Sequence, residues 1–205
     1  MRSVLIAAAF AALSAPALAQ APATGPAPAA TYAVDKTHAS IVWKGLHQGL
    51  SWYVARFTNF DITVDFNEAD VSKSKVTASV DMKSVETDFA KTRPATRNED
   101  FNSELGGERF LNAAKFPQAT FASTSISKTG DKTGKMTGNL TFLGVTKPVT
   151  FDVTYVGNRQ DARLQKHKIG FQAVGSFKRS DFGVAVGGPV ADEIKLEINA
   201  ELIQK

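Results

Sequence analysis

The chain has 205 residues, no cysteine, and 24 Lys and Arg against 20 Asp and Glu, for a net charge of +4. The basic residues are scattered, which excludes the concentrated positive surface that nucleic-acid binding needs and leaves room only for a loose, transient attraction to anionic membrane surfaces. The missing thiols exclude disulfide staples, zinc–thiolate centres and a lipidated cysteine anchor, so a single domain must rely on its own apolar core.

The amino terminus reads as an address. Met1-Arg2 is a short positive start, Val4 to Ala12 is an apolar run too short to cross a bilayer, and Ala17-Leu18-Ala19 fits a small-x-small cleavage site. Residues 1–19 are therefore expected to be a signal peptide cut before Gln20, rather than a short membrane anchor. The uncharged Ala- and Pro-rich stretch from Gln20 to Ala30 reads as a flexible leader. The folded domain is expected over residues 31–205.

Within that domain, apolar side chains recur at every second residue in segment after segment, the mark of strands with one dry and one wet face. Eight strands are expected. The first covers Tyr32 to Gly45, with a break near Asp35-Lys36-Thr37. The second runs from Trp52 to Phe66 and the third from Lys73 to Lys83. The fourth lies near Gln118 to Ser127 and the fifth near Lys135 to Leu143. The sixth spans Lys147 to Val156, the seventh Gln165 to Phe177, and the eighth Asp192 to Ile203. Thr129-Gly130-Asp131-Lys132 is a hairpin signal and Leu143-Gly144-Val145 a tight corner. An even strand count and short links predict an all-β fold, an eight-stranded antiparallel up-and-down barrel with no open edge.

Asp88 to Pro117 breaks the alternation. Thr96 followed by Glu99 resembles a capping box, Phe101 and Leu105 lie one turn apart, and Gly106 stands where a helix would stop. Gly107 to Ala114 reads as a second short helix. The segment is expected to be a helical insertion between strands 3 and 4, acting as a lid or as a structural plug.

Catalytic chemistry is not evident. The three histidines, His38, His47 and His167, match no zinc spacing, and no metal site is expected. Asp61 and Asp65 share one strand face as ordinary outward polarity. Gly130 to Lys135 lacks phosphate-loop spacing, no Ser sits in a nucleophile elbow, and the Asn139-Leu140-Thr141 sequon falls inside a strand. An enzyme acting on a small apolar or lipid substrate in the barrel remains the alternative reading. Glu86, Asp88 and His47 are its first candidates. A lipid-facing outer-membrane barrel would turn its apolar face outward, and this chain lacks the terminal aromatic and aromatic girdles of that class.

Several ordered fragments carry a family resemblance. Tyr32, Val34, Asp35, His38, Ser40, Ile41 and Trp43 form one. His47-Gln48-Gly49-Leu50-Ser51 with Arg56-Phe57 and Phe60 forms another. Phe110-Leu111-Asn112-Ala113, Lys115-Phe116-Pro117 and Ala119-Thr120-Phe121 follow. Gly138-Asn139-Leu140-Thr141, Gly144-Val145-Thr146-Lys147-Pro148-Val149 and Arg179-Ser180-Asp181-Phe182-Gly183 complete the set. Over Thr31 to Gln204 the chain resembles the YceI family of exported, lipocalin-like polyisoprenoid-binding proteins. Ala55 stands where many members carry Gly. Phe101, Asn102, Glu104, Leu105 and Arg109 replace the family's more polar pattern before Phe110.

The resemblance implies a periplasmic, non-enzymatic carrier that threads an isoprenoid lipid or quinone tail into an apolar pore and needs no other cofactor. Alternation independently nominates the lining: Ile41, Trp43, Phe60, Ile62, Val64, Val80, Met82, Phe121, Leu140, Phe142, Phe151, Val153, Phe171, Phe177, Leu196 and Ile198. Among basic residues near strand ends or the insertion, which include Lys91 and Arg93, the head-group candidates are Arg56, Arg97, Arg109 and Arg179. Two at one mouth would hold a diphosphate; the rest would be solvated surface charges.

Overall fold

The computed structural model describes residues 25–87 and 100–205. Ten strands run in chain order: β1 (Ala30–His47), β2 (Ser51–Phe57), β3 (Phe60–Phe66), β4 (Lys75–Asp81), β5 (Val85–Thr87), β6 (Gln118–Lys128), β7 (Thr133–Phe142), β8 (Val145–Asp161), β9 (Lys166–Lys178) and β10 (Val190–Gln204). Hydrogen-bonded neighbours follow the order β10-β9-β8-β7-β6-β4-β3-β1, and pairing of β10 with β1 closes the ring. β2 extends the line of β3 along β1, and β5 extends that of β4 along β2. The result is a closed, all-β barrel of eight antiparallel strands, two of them broken.

The breaks correct the expectation of unbroken strands over Trp52–Phe66 and Lys73–Lys83. Odd residues of β2 face inward (Tyr53, Phe57), whereas even residues of β3 do so (Ile62, Val64, Phe66). A two-residue kink at Thr58-Asn59 switches the parity. The neighbouring strand is interrupted at the same height by a 3₁₀ turn over Met82–Ser84. Thr58 N–H donates to Ser84 O and Asp81 N–H to Asn59 O, each at 3.0 Å, so the paired irregularities satisfy each other. β1 has its own irregularity, a register shift against β10 between Val34 and Ala39. There Asp35 accepts from the backbone N–H and the hydroxyl of Thr37.

Because the strands alternate in direction, the connections sort into two ends. The upper end carries the β1–β2, β7–β8 and β9–β10 connections and the segment before β6. The lower end carries the β3–β4, β6–β7 and β8–β9 turns. It also holds the last part of the Ala/Pro stretch, which is built into the fold and so corrects a flexible leader through Ala30. Ala27 is buried and its N–H donates to Glu68 Oε2, and Tyr32 Oη donates to Pro28 O at 2.8 Å. Residues 1–19, expected from the sequence to be a signal peptide, lie outside the described residues.

Among the described residues one α-helix, α1 (Phe101–Gly106), follows β5 and precedes β6. Asp100 caps it by accepting from Ser103 N–H. Thr96 and Glu99 lie outside the described residues. The second helix expected over Gly107–Ala114 is instead a run of turns. Leu111, Asn112 and Ala113 N–H groups return to Leu105, Gly107 and Gly106 carbonyls, and Asn112 adopts φ 41°. Met82, Ala113 and Ala119 form a small core beneath it.

The outer face is polar. Lys44–Glu197, Arg56–Glu86 and Lys135–Asp152 ion pairs bridge neighbouring strands on it, as do the Thr137–Thr150 and Thr141–Thr146 hydroxyl pairs. Charged side chains there suit water and not acyl chains.

Candidate functional site: an apolar tunnel

A cavity of about 1070 Å³ occupies the barrel interior. Of the sixteen residues nominated from alternation, all but Phe60 line it. Phe60 is buried within a cluster that includes Ile41, Ile62 and, at its edge, Phe57 and Val80, so it is wall rather than lining. The sequence reading missed Tyr53 and Phe57 because they have the wrong parity for an unbroken second strand. It missed Ile126 because β6 carries a register shift between Ser123 and Ser125.

Bulky rings leave the lumen open because inward glycines let them lie back against the wall. A Cβ on Gly138 would run into the Phe121 ring, and one on Gly175 would sit 2.7 Å from the ring of Phe151. These two rings meet edge to face at 5.4 Å. Ala78, Ala119, Ala173 and Ala200 keep other inward positions short.

At the upper mouth the cavity is bounded by His47 and Ser51, by Phe101, Glu104 and Leu105 of α1, by Arg109, and by the loop from Val184 to Val190. Arg179 is 9% exposed; its Nη2 donates to Val190 O at 2.8 Å and its Nε has no hydrogen-bond partner among the described residues. Trp43 Nε1 is likewise buried without a partner among the described residues. Arg109 is exposed at the mouth and lies over the Phe110 ring. The structure therefore brings Arg109 and Arg179 to one end. Arg56 is corrected: it lies on the outer face, bound to Glu86 at 2.6 Å, and does not line the cavity. Glu86 is engaged in that same outer pair, whereas His47 does line the mouth. Asp88, Lys91, Arg93 and Arg97 fall outside the described residues.

The lower end is lined by Glu68, Ser74, Ser127 and Thr133 as well as by aromatic rings. Tyr155 and Phe171 stack against Phe66 at 5.5 and 5.3 Å. Tyr155 Oη donates to Glu68 Oε2 at 3.3 Å. Burial pushes the Tyr155 hydroxyl up to about 12 and, with the Glu68 charge, raises that of Tyr32. The β4–β6 ladder stops at Thr77–Ala122. Below it the cavity reaches the exposed Lys128, Asp131 and Lys132.

Outside the tunnel, Asp35, His38 and Glu201 approach one another closely enough to suggest a cation site. Lys168 already serves these carboxylates: its Nζ lies 2.7 Å from Glu201, 3.3 Å from Asp161 and 4.0 Å from Asp35. The hydrogen bond to Glu201 raises the Lys168 pKa.

Comparison with known proteins agrees with this geometry. The YceI-like domain family matches residues 32–202. Protein YceI of Salmonella arizonae is 40% identical over 180 residues, covering 86% of this chain and 88% of that protein. The crystal structure of Burkholderia cenocepacia BcnA superposes with a TM-score of 0.69 at 25% identity, over 82% of this chain and 98% of that one. A polyisoprenoid-binding domain from Saccharophagus degradans shares the fold, with a TM-score of 0.60 at 13% identity over 85% and 98% of the two chains. Barrel, tunnel and sequence together place this chain in the YceI-like family.

Proposed function

We propose that the protein is a periplasmic carrier or sequestering protein for a polyisoprenoid or isoprenoid-quinone lipid, held in the tunnel without catalytic turnover. One observation carries the reading: an apolar cavity of about 1070 Å³ runs inside a closed barrel. That is at or above the roughly 300–1,000 Å³ of ordinary small-molecule pockets. β10 has 15 residues, so at about 3.3 Å per residue and roughly 40° of tilt the wall rises about 38 Å, which suits a long tail. The Saccharophagus relative is described as a polyisoprenoid-binding domain, and that ligand class fits here.

The energetics suit such a ligand. A buried methylene contributes roughly 0.8 kcal/mol, hence roughly 4 kcal/mol per isoprene unit, against an association cost on the order of 4–15 kcal/mol. A few units suffice without any catalytic constellation. Arg109 and Arg179 favour placing an oxygen-bearing head group at the upper mouth.

Organic extraction of natively purified protein, followed by mass spectrometry, is expected to release a prenyl lipid. Fluorescence titration with long-chain prenols and prenyl quinones is expected to show saturable uptake. Lipid-free preparations that also ignore added prenyl chains would overturn the reading.

A further inference from the structure

Seven large apolar side chains are exposed among the described residues. Four gather at the upper end: Leu50 (84% exposed), Val186 (58%), Val54 (49%) and Trp52 (41%). The other three, Val156, Leu164 and Val174, are scattered over β8, the β8–β9 turn and β9. Leu50 and Val186 belong to two loops that are tied together, because Gln48 N–H donates to Pro189 O at 2.6 Å, and Trp52 and Val54 stand on the outer face of β2 just past the first loop. The hairpin turn is held rather than loose. Gln48 and Gly49 take φ of 51° and 72°, and Leu50 N–H donates back to His47 O at 3.0 Å. Leu50 is thus presented outward by a fixed turn. Beside them, His47 and Ser51 at the strand ends and Gly187 and Pro189 of the second loop line the tunnel mouth.

From this juxtaposition we infer that the upper rim is a docking surface for an anionic phospholipid bilayer, which sets the tunnel mouth against the membrane. Leu50 and Val186 enter the acyl boundary. Trp52 lies at head-group depth with Lys195 Nζ 4.1 Å above its ring, an aromatic–cation pair suited to an interface that is apolar on one side and charged on the other. Among the described residues the exposed Arg109 and Glu104 and the buried Arg179 complete the mouth with no negative excess, so the apolar residues set the affinity and the cations the preference for anionic lipid. The lower opening carries Lys128, Asp131 and Lys132 and, among the described residues, no such apolar pair of loops. This inference rests on the lipid-carrier reading, since a carrier must receive a membrane-resident tail without passing it through water.

The test is flotation with vesicles of phosphatidylethanolamine and phosphatidylglycerol. Wild-type protein is expected to float with the vesicles. The Leu50→Asp/Val186→Asp double variant is expected to lose roughly tenfold or more of its vesicle partitioning, because two apolar anchors are removed. Leu164→Asp, at the lower end, is expected to float like wild type. All three carry the same amino-terminal segment, so that segment cannot account for a difference. Circular dichroism and uptake of a prenol added from solvent show that each variant is folded with a working tunnel. Wild-type protein that stays behind, a double variant that floats normally, or equal damage from Leu164→Asp would each overturn the docking surface. So would a wild-type dimer that the double variant dissociates without any vesicle binding, since a second copy would then cover the rim. Prenol uptake without flotation sinks only the docking surface; absent uptake sinks the carrier reading itself.

Discussion

Ala78 sets the width of the tunnel at one level. It lies on β4 between Ile62 of β3 and Phe121 of β6, and its methyl faces the lumen. Ala78→Phe would put a ring where the tail is expected to pass. Uptake of a long prenol should fall on the order of tenfold or more, because each displaced methylene removes roughly 0.8 kcal/mol. The barrel should remain folded, at a cost of about 1–3 kcal/mol for overpacking. Prenol titration and thermal melting check the two parts, and unchanged uptake would mean that the tail avoids this level. At this scale alternation was a good guide, because a side chain's parity on a regular strand decides whether it faces the axis. It failed for Phe60, whose parity is inward but whose ring is absorbed by its neighbours. It failed also for Tyr53, which sits before a kink that the sequence does not announce.

At the scale of the element, the inward glycines deserve a direct test. Gly138 on β7 lies beneath the Phe121 ring, and a Cβ there would come within 2.5 Å of the Ala122 carbonyl on β6. Gly138→Ala must therefore push ring and backbone apart. We expect a loss of about 1–3 kcal/mol in urea-induced unfolding, more than the strand-propensity gain of alanine over glycine would return. Gly106, by contrast, has nothing within 4 Å of such a Cβ. Gly106→Ala is the matched control and should leave the urea midpoint close to wild type. Element types and most strand positions were legible, since a period of two is hard to mistake over ten residues. The second helix was not: the turns after Gly107 are held by returns to Leu105, Gly106 and Gly107 carbonyls, which no local pattern reveals.

For the whole molecule, closure is the decisive event, and its lower seam is electrostatic. Asp35 of β1, Glu201 of β10, Lys168 of β9 and Asp161 of β8 join four neighbouring strands across the place where the first and last strands meet. The Thr37 hydroxyl, and after it His38, hold the Asp35 carboxyl at about 2 instead of its ordinary 3.8. Backbone N–H groups at Leu164 lower Asp161 as well. A carboxylate depressed in the folded state contributes stability that is complete above its unfolded value near 4. That contribution fades as pH falls toward 2. Acid unfolding followed by circular dichroism should accordingly set in below pH 4. Thr37→Ala should move the midpoint to higher pH by removing the largest cause of the Asp35 shift, and an unmoved midpoint would show that this cluster does not govern closure.

The sequence by itself determined that strands with one apolar face must close on themselves, because so long an alternation leaves no other way to hide that face and pair every edge. It also determined the family, through motifs whose order and spacing survive along the whole domain. Only the tertiary structure decided that the interior is hollow. Filled and open barrels share one alternation, and the difference lies in how rings such as Phe121 and Phe151 fold back over glycines on adjacent strands. Tertiary structure alone also drew Leu50 and Val186, 136 positions apart in the chain, onto one rim, since their meeting depends on strand direction and register rather than on any local residue preference.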